Sequence, residues 1–505
     1  MIFDAATLRL PLRVKADLCV IGSGPGGATA AMIAAEAGMK VLILEAGELL
    51  TPADMTQREE QMFPRLFWDG GARTTADRGV KIHQGRGLGG SALHNLNLCK
   101  RAPETIRAAW AKDRRLESLD AAAWSTLYAE VEALLGVGPI PEAMWNRHNR
   151  LLELACQRLG WRGGGLSHNR AGCVGSGFCE VGCAFDAKNN TLKVVLPRAL
   201  RAGAEALTRC QAVRIRHDSG GARGVDAVVR APKTHEVLGT IEIDADRVCV
   251  SASATGTAAL LLRSEVDGPP GSIGDTLRIH PGVAVAGDFD EPIHAWQGVP
   301  QTYECTEWLD FERPNGHRTW ILPAFAHPVA TATMLPGHGA AHHALMSRYP
   351  NLAVLTAMLH DETTGTVRPR GDLGLRLDYW PSAADRRELA HGLWASAKLL
   401  FAAGARRVVV PTASPLVFER ESQIDALRDL EIARGAIDIV AVHPMATVPM
   451  SDDPSLGAVD GHGRHHRIRG LWVSDGSLFP TSIGGPPQLS IYALGFHVGR
   501  AIIRA

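Results

Sequence analysis

Two short runs near the N-terminus, Ala16 to Ile21 and Val41 to Leu44, are apolar at nearly every position rather than at alternate ones. A strand covered on one face alternates and a strand covered on both does not, so these runs predict parallel strands with helices on each side. Residues 104–160 are helical in pattern, rich in Ala, Leu, Trp and Glu. Val213-Arg214-Ile215 and Gly224 to Val229 alternate like meander strands, and Asp246 to Ser251 predicts another buried strand returning to the first sheet. From about 285 to 425, alternating runs such as Leu375 to Tyr379 mix with helices such as Asp385 to Ala402, the pattern of a separate α+β layer. Leu471 to Asp475 reads as a strand, and Pro487 to Ile503 as a helix entered through Gly484-Gly485-Pro486.

The predicted class is α/β: a Rossmann-like βαβ domain with an interleaved α+β substrate domain on an antiparallel sheet. The expected division is 1–284 for the first part of the nucleotide domain, with a cysteine-rich loop at 168–195. Residues 285–430 then form the substrate domain and 431–505 a return segment.

The first strand runs into Gly22-Ser23-Gly24-Pro25-Gly26-Gly27, and the second ends on Glu45. Gly22 permits the tight turn, Gly24 lets backbone approach a pyrophosphate, and Gly27 lets helix pack on strand. The phosphates then meet the positive end of the helix, and Glu45 is placed to hold ribose hydroxyls. Strand, glycines, helix, second strand and acid all stand at the offsets of a dinucleotide site.

Composition narrows the partners. Lys plus Arg equals Asp plus Glu at 53 each, so no net field recruits nucleic acid or an anionic membrane. The 505 residues suffice for two or three domains. No run reaches membrane-spanning length, and Met1 to Lys15 lacks the apolar core of a signal peptide, so a cytoplasmic location is expected unless a partner carries the chain out. Nine cysteines without an export signal argue for reduced thiols or a metal site.

A second glycine-dense loop, Gly85-Arg86-Gly87-Leu88-Gly89-Gly90-Ser91-Ala92-Leu93-His94-Asn95, brings backbone close to something flat. Together with the stretch Trp472 to Ser482 it resembles the glucose-methanol-choline oxidoreductases, and the glycine fingerprint, this loop, Leu277-Arg278-Ile279-His280-Pro281, His443-Pro444-Met445 and the last helix occur in family order. The resemblance spans the chain and implies FAD extended across the parallel sheet. It implies cofactor contacts from Gly22, Gly24, Gly27, Glu45, Gly89, Gly90, Asn95, Asp475 and Gly476. The helix start at Pro487 and Gln488 then lies beside the flavin, its positive end stabilising developing negative charge. His94 falls where some members attach flavin covalently through a histidine, the alternative being a hydrogen-bonding role beside noncovalent FAD.

His443 is the expected catalytic base: hydride leaves an alcohol carbon more easily as its hydroxyl loses a proton, and neutral imidazole accepts one near pH 7. The chain departs from the family at Pro486, where relatives carry Asn or His as a second hydrogen-bonding group. Cys173, Cys179 and Cys183 form a C-x5-C-x3-C run in a glycine-rich loop. Three thiolates there suit an iron–sulfur cluster of the three-iron type, as in the subgroup of this family that relays electrons to a cytochrome-like partner; three reduced cysteines or a disulfide are the plain alternatives.

The leading expectation is therefore an FAD-dependent alcohol dehydrogenase acting on a small-molecule alcohol and passing electrons to a carrier protein through the cluster. The alternatives are an alcohol oxidase making hydrogen peroxide, a lyase of the same fold that keeps FAD structurally, and a non-catalytic flavoprotein.

Overall fold

In the computed structural model, which describes residues 1–312, 316–325 and 327–505, Leu18–Ile21 lies inside a six-stranded parallel sheet. The strand order is Ile2–Asp4, Glu205–Thr208, Val41–Leu44, Leu18–Ile21, Arg247–Val250, Leu471–Val473. The runs that lack alternation, Leu18–Ile21 and Val41–Leu44, are buried at every position, as expected for strands covered on both faces. The expected returning strand pairs directly with the first one, Val250 opposite Ile21. The meander strands Cys210–Asp218 and Gly221–Arg230 join Val237–Asp244 and Leu12–Lys15 in a separate four-stranded sheet.

Helix Pro25–Glu36 carries Ala, Gly and Met around most of its circumference because it is enclosed: nine of its twelve residues are buried. One neighbour is the C-terminal helix Gln488–Arg504. Their axes approach at Gly495, where a Cβ would stand 2.7 Å from Thr29 Cβ and 2.8 Å from the Gly26 carbonyl oxygen. Gly495→Leu should therefore force the helices apart and cost about 1–3 kcal/mol, read as a lowered denaturation midpoint.

The second large sheet has nine strands. Its main path runs Leu416–Phe418, Arg407–Val410, Pro281–Asp288, Leu352–Leu359, Thr319–Pro323, Tyr303–Cys305, Gly163–Gly165, with Ile439–Ala441 and Val80–Ile82 attached. Helix Ala383–Ala402 packs on it and buries Leu389, Leu393, Leu399 and Leu400. Strand Pro281–Asp288 begins ahead of residue 285, and the sheet also takes strands from both flanking segments, so the two layers interleave along the chain at more points than the expected division has. The strand at Leu375 belongs to a two-stranded hairpin with Thr366–Arg370 outside this sheet.

Candidate functional site

The glycine fingerprint ends a strand and opens a helix whose first turn has no side-chain cap, leaving its leading backbone N–H groups free for an anion. Residues 22–26 line a cavity of about 1200 Å³ that is bounded on its other side by the antiparallel sheet. Gly90 adopts φ +63°, and a Cβ on it would stand 2.7 Å from Gly24 Cα, so the two glycine loops touch and form one wall. Gly27 and Gly89 are set back from the cavity. The Gly89 N–H donates to Ser23 Oγ at 2.9 Å, and Ser23 Oγ donates in turn to Glu45 at 2.6 Å.

Glu45, 7% exposed, does more than end the second strand. Its carboxylate also accepts from the N–H groups of Ser23 (3.3 Å), Gly47 (2.8 Å) and Gly87 (3.3 Å). It thus ties both glycine loops together while lining the cavity.

At the other end, Asn95 Nδ2 donates to Gln488 Oε1 at 2.7 Å and Gln488 Nε2 donates to the Leu98 carbonyl at 2.6 Å. The glycine loop is thereby joined to the start of the last helix, whose cap is Pro487. Buried Asp475 accepts from the Ser477 N–H at 2.9 Å and from Thr257 Oγ1 at 2.5 Å, and burial pushes its carboxyl up. Asp475, Gly476, Pro487 and Gln488 all reach the cavity. His94 reaches it too, but its Nε2 is buried without a partner against Gly85, and its ring lies 4.1 Å from that of Phe67. Burial holds His94 down at about 3, so the ring stays neutral; a bond to flavin through Nε2 requires it to turn away from Gly85. The uncapped helix, the Glu45 carboxylate and the abutting glycines are a donor and acceptor set that fits a dinucleotide.

Pairing of Pro281 with Ala441 brings His280 and His443 together. Their Nδ1 atoms share a hydrogen bond at 3.2 Å, leaving His443 Nε2 for the cavity, which the residue lines. His280, 2% exposed, is fixed from behind. Asp361 accepts from the N–H groups of Ile279 (3.0 Å) and His280 (3.3 Å) and from the Tyr379 hydroxyl (2.9 Å). The Gly484 N–H donates to His280 Nε2 at 3.3 Å. A neutral His280 that accepts at Nε2 donates from Nδ1, so resting His443 carries its proton on Nε2. Burial lowers His443 to about 3, and burial with the neighbouring His443 and His360 holds His280 well below the ordinary range. Pro486 lines the cavity, and the hydrogen-bonding partner of His443 is His280.

The cysteines do not meet their expectation. Among the described residues no group of three or more His, Cys, Asp and Glu side chains is placed to hold a metal ion. Cys179 is buried, while Cys173 Sγ accepts from Arg170 Nη1 and the Gly175 N–H, both at 3.4 Å, and Cys183 Sγ accepts from the Ala187 N–H at 3.3 Å. Each outer sulfur is thus satisfied within its own turn. His168 Nε2 donates to the Gln301 carbonyl oxygen at 2.9 Å. Lys188, buried, donates to the carbonyls of Leu93, Asn95 and Cys179 and clamps the cysteine loop to the second glycine loop. These residues do not fit an iron–sulfur cluster, and protein purified without oxygen should contain no stoichiometric iron or acid-labile sulfide on chemical analysis.

Ser23, His280 and Asp361 were not singled out from sequence. Ser23 lies inside the fingerprint and His280 inside a motif already noted, but neither spacing shows what their side chains reach.

Comparison with known proteins agrees with this fold. Family models described as GMC oxidoreductase match residues 63–282 and 362–495, and one described as FAD binding domain matches residues 17–52. A GMC-type oxidoreductase of Mycobacterium tuberculosis is 34% identical over 97% of this chain and 76% of its own. A long-chain-alcohol oxidase of Arabidopsis thaliana is 27% identical over 97% of this chain and 69% of its own. The crystal structure of pyridoxine 4-oxidase from Mesorbium loti superposes with a TM-score of 0.73 at 19% identity, covering 97% of this chain and 99% of that one. Fold, nucleotide site and both halves of the family pattern coincide in one chain, which belongs to the GMC oxidoreductase family and is an FAD-dependent oxidoreductase.

Proposed function

We propose that the protein oxidises long-chain alcohols, with dioxygen as electron acceptor: alcohol and dioxygen give the carbonyl product and hydrogen peroxide. The observation that carries this reading is the floor of the cavity. Sheet register puts Gly282 opposite Met358, Ala284 opposite Thr356 and Ala286 opposite Val354, with Trp320 and Leu322 beside them on the same face. All of these line the cavity. Three small residues in alternate positions leave a trough between larger neighbours, about 14 Å long at roughly 3.4 Å per residue. It begins at Gly282, two residues beyond His280, and so runs away from the histidine pair with apolar walls.

FAD, when bound, supplies the acceptor for the hydride leaving the alcohol carbon. The helix start and Asp475 with Gly476 would hold it on one side of the cavity, and Glu45 with the two glycine loops on the other. His443 positions the alcohol oxygen at Nε2. It receives the hydroxyl proton there only in the tautomer opposite to the resting one, with its own proton on Nδ1 and donated to His280, a change that places the His280 proton on Nε2 and releases the hydrogen bond from the Gly484 N–H. The apolar trough excludes water from the chain and from the reacting carbon.

The relay to a carrier protein depended on the three-cysteine ligand set, which this geometry does not assemble, and the Arabidopsis relative is named an oxidase. A series of straight-chain alcohols tests the reading. The specificity constant kcat/KM should rise about threefold to fourfold per methylene until the trough is filled, with peroxide formed in step with carbonyl product. A flat series, or carbonyl formed under air without peroxide, overturns it.

A further inference from the structure

The trough runs on lengthwise but is closed at its sides next to the histidine pair. On the face that carries His280, sheet register aligns Val440, Gly282, Met358 and Trp320 in one row across four strands, and all four line the cavity. Gly282 leaves the space for a chain. A Cβ there would stand 3.5 Å from Met358 Cγ, so Met358 borders that space, with Trp320 beyond it and Val440 on the opposite flank.

Met358 and Trp320 differ in how far they can yield. Methionine has three rotatable bonds and adapts to what enters. Trp320, 2% exposed, is held in place: its indole N–H donates to Glu304 Oε2 at 2.5 Å, and Lys100 Nζ donates to both oxygens of Glu304 at 2.7 Å. Lys100 Nζ also lies 5.5 Å from the centroid of the indole ring. The Lys100 and Glu304 side chains keep only 25% and 12% of their surface exposed, so water competes little for this charge-assisted set.

The lock stands beside the reacting end of the cavity. A Cβ on Gly485 would be 3.7 Å from Lys100 Cδ, which sets Lys100 against the Gly484-Gly485-Pro486 entry to the last helix. Trp320 packs in one cluster with Leu98, Leu166, Leu322 and Met358. The Leu98 carbonyl is the group that holds Gln488 at the start of that helix. Trp320 therefore stands where the floor meets the helix start.

We propose that Trp320, locked by Glu304 and Lys100, limits the reacting carbon to one alkyl arm, so that the site takes primary alcohols and rejects secondary ones. This rests on the alcohol-oxidising reading above. One arm runs along the trough from Gly282. A second arm on the same carbon meets the row beside it, where Met358 gives way and the indole does not. For the ring to turn aside, its bond to Glu304 must break within a packed cluster. Trp320 is the specificity residue, and Glu304 and Lys100 are positioning residues that act through it.

The test compares 1-decanol, 2-decanol and 5-decanol with FAD-loaded enzyme. The ratio of kcat/KM between alcohols within one variant cancels differences in folding and flavin content. In the wild type 2-decanol should fall about a hundredfold or more below 1-decanol, with no turnover of 5-decanol. In Trp320→Ala the ratio of 2-decanol to 1-decanol should rise about tenfold or more, and 5-decanol should become a substrate. Glu304→Leu should move the ratio in the same direction, whereas Glu304→Gln, which keeps an acceptor for the indole N–H, should stay near the wild-type ratio. Comparable kcat/KM for 1-decanol and 2-decanol in the wild type, or an unchanged ratio in Trp320→Ala, overturns the proposal while alcohol oxidation stands. A rise in Trp320→Ala with none in Glu304→Leu overturns the lock and supports the indole as the barrier. Oxidation of no member of the series overturns both readings.

Discussion

Gly24→Val is expected to purify colourless, with FAD absorbance lost while the melting curve of the apoprotein remains that of flavin-stripped wild type. The position separates binding from folding. Gly24 has φ −66°, a conformation open to any residue, and a Cβ there meets only Gly90 Cα at 3.9 Å, an ordinary van der Waals contact. The two methyl groups of valine then project over the uncapped start of helix Pro25–Glu36, where backbone must come close to a pyrophosphate. The same substitution at Gly90 would be ambiguous, since a Cβ there stands 2.7 Å from Gly24 Cα and strains the fold itself. Full flavin occupancy in purified Gly24→Val, measured by absorbance after heat release, would remove this unit from cofactor binding.

The second large effect is expected at His443. His443→Ala should slow anaerobic reduction of the flavin by a long-chain alcohol by roughly two to four orders of magnitude, with FAD content near normal. The expectation rests on position: His443 is the member of the histidine pair that lines the cavity, whereas His280 stands behind it. Stopped-flow reduction at saturating alcohol separates this from weakened binding. An unchanged limiting rate would take His443 out of the reaction.

The nucleotide half of this molecule was readable because its demands are local. Strands covered on both faces lack alternation, and a phosphate loop needs glycine where backbone approaches backbone, so residues 18–45 carried the whole unit. Glu45 was legible as the acid ending the second strand, yet not as the acceptor for three backbone N–H groups and the Ser23 hydroxyl, since Gly87 reaches it only through tertiary packing. His280 escaped for a similar reason. It meets His443 because Pro281 pairs with Ala441, and sheet register between distant segments leaves no mark on either. Strand Gly163–Gly165 consists of three glycines and shows no strand pattern, which is why part of the antiparallel sheet lay outside the expected substrate segment. The cysteine spacing pointed to a ligand set, but sulfur orientation follows from turns within residues 173–187 that spacing does not encode.

The order of strands in the parallel sheet has a consequence for how the protein is made. Arg247–Val250 is flanked by Leu18–Ile21 on one side and Leu471–Val473 on the other, so its outer edge waits for a partner more than 200 residues later in the chain. At roughly 5–20 residues per second that edge emerges from the ribosome about 10–45 s before its neighbour. An unpaired buried-type strand is a template for wrong pairing. The helix that packs on Pro25–Glu36, Gln488–Arg504, arrives later still. The nucleotide domain therefore completes only once residues 471–504 have emerged, and nascent chains stalled between residues 250 and 470 are expected to be sticky, chaperone-bound and unable to retain flavin.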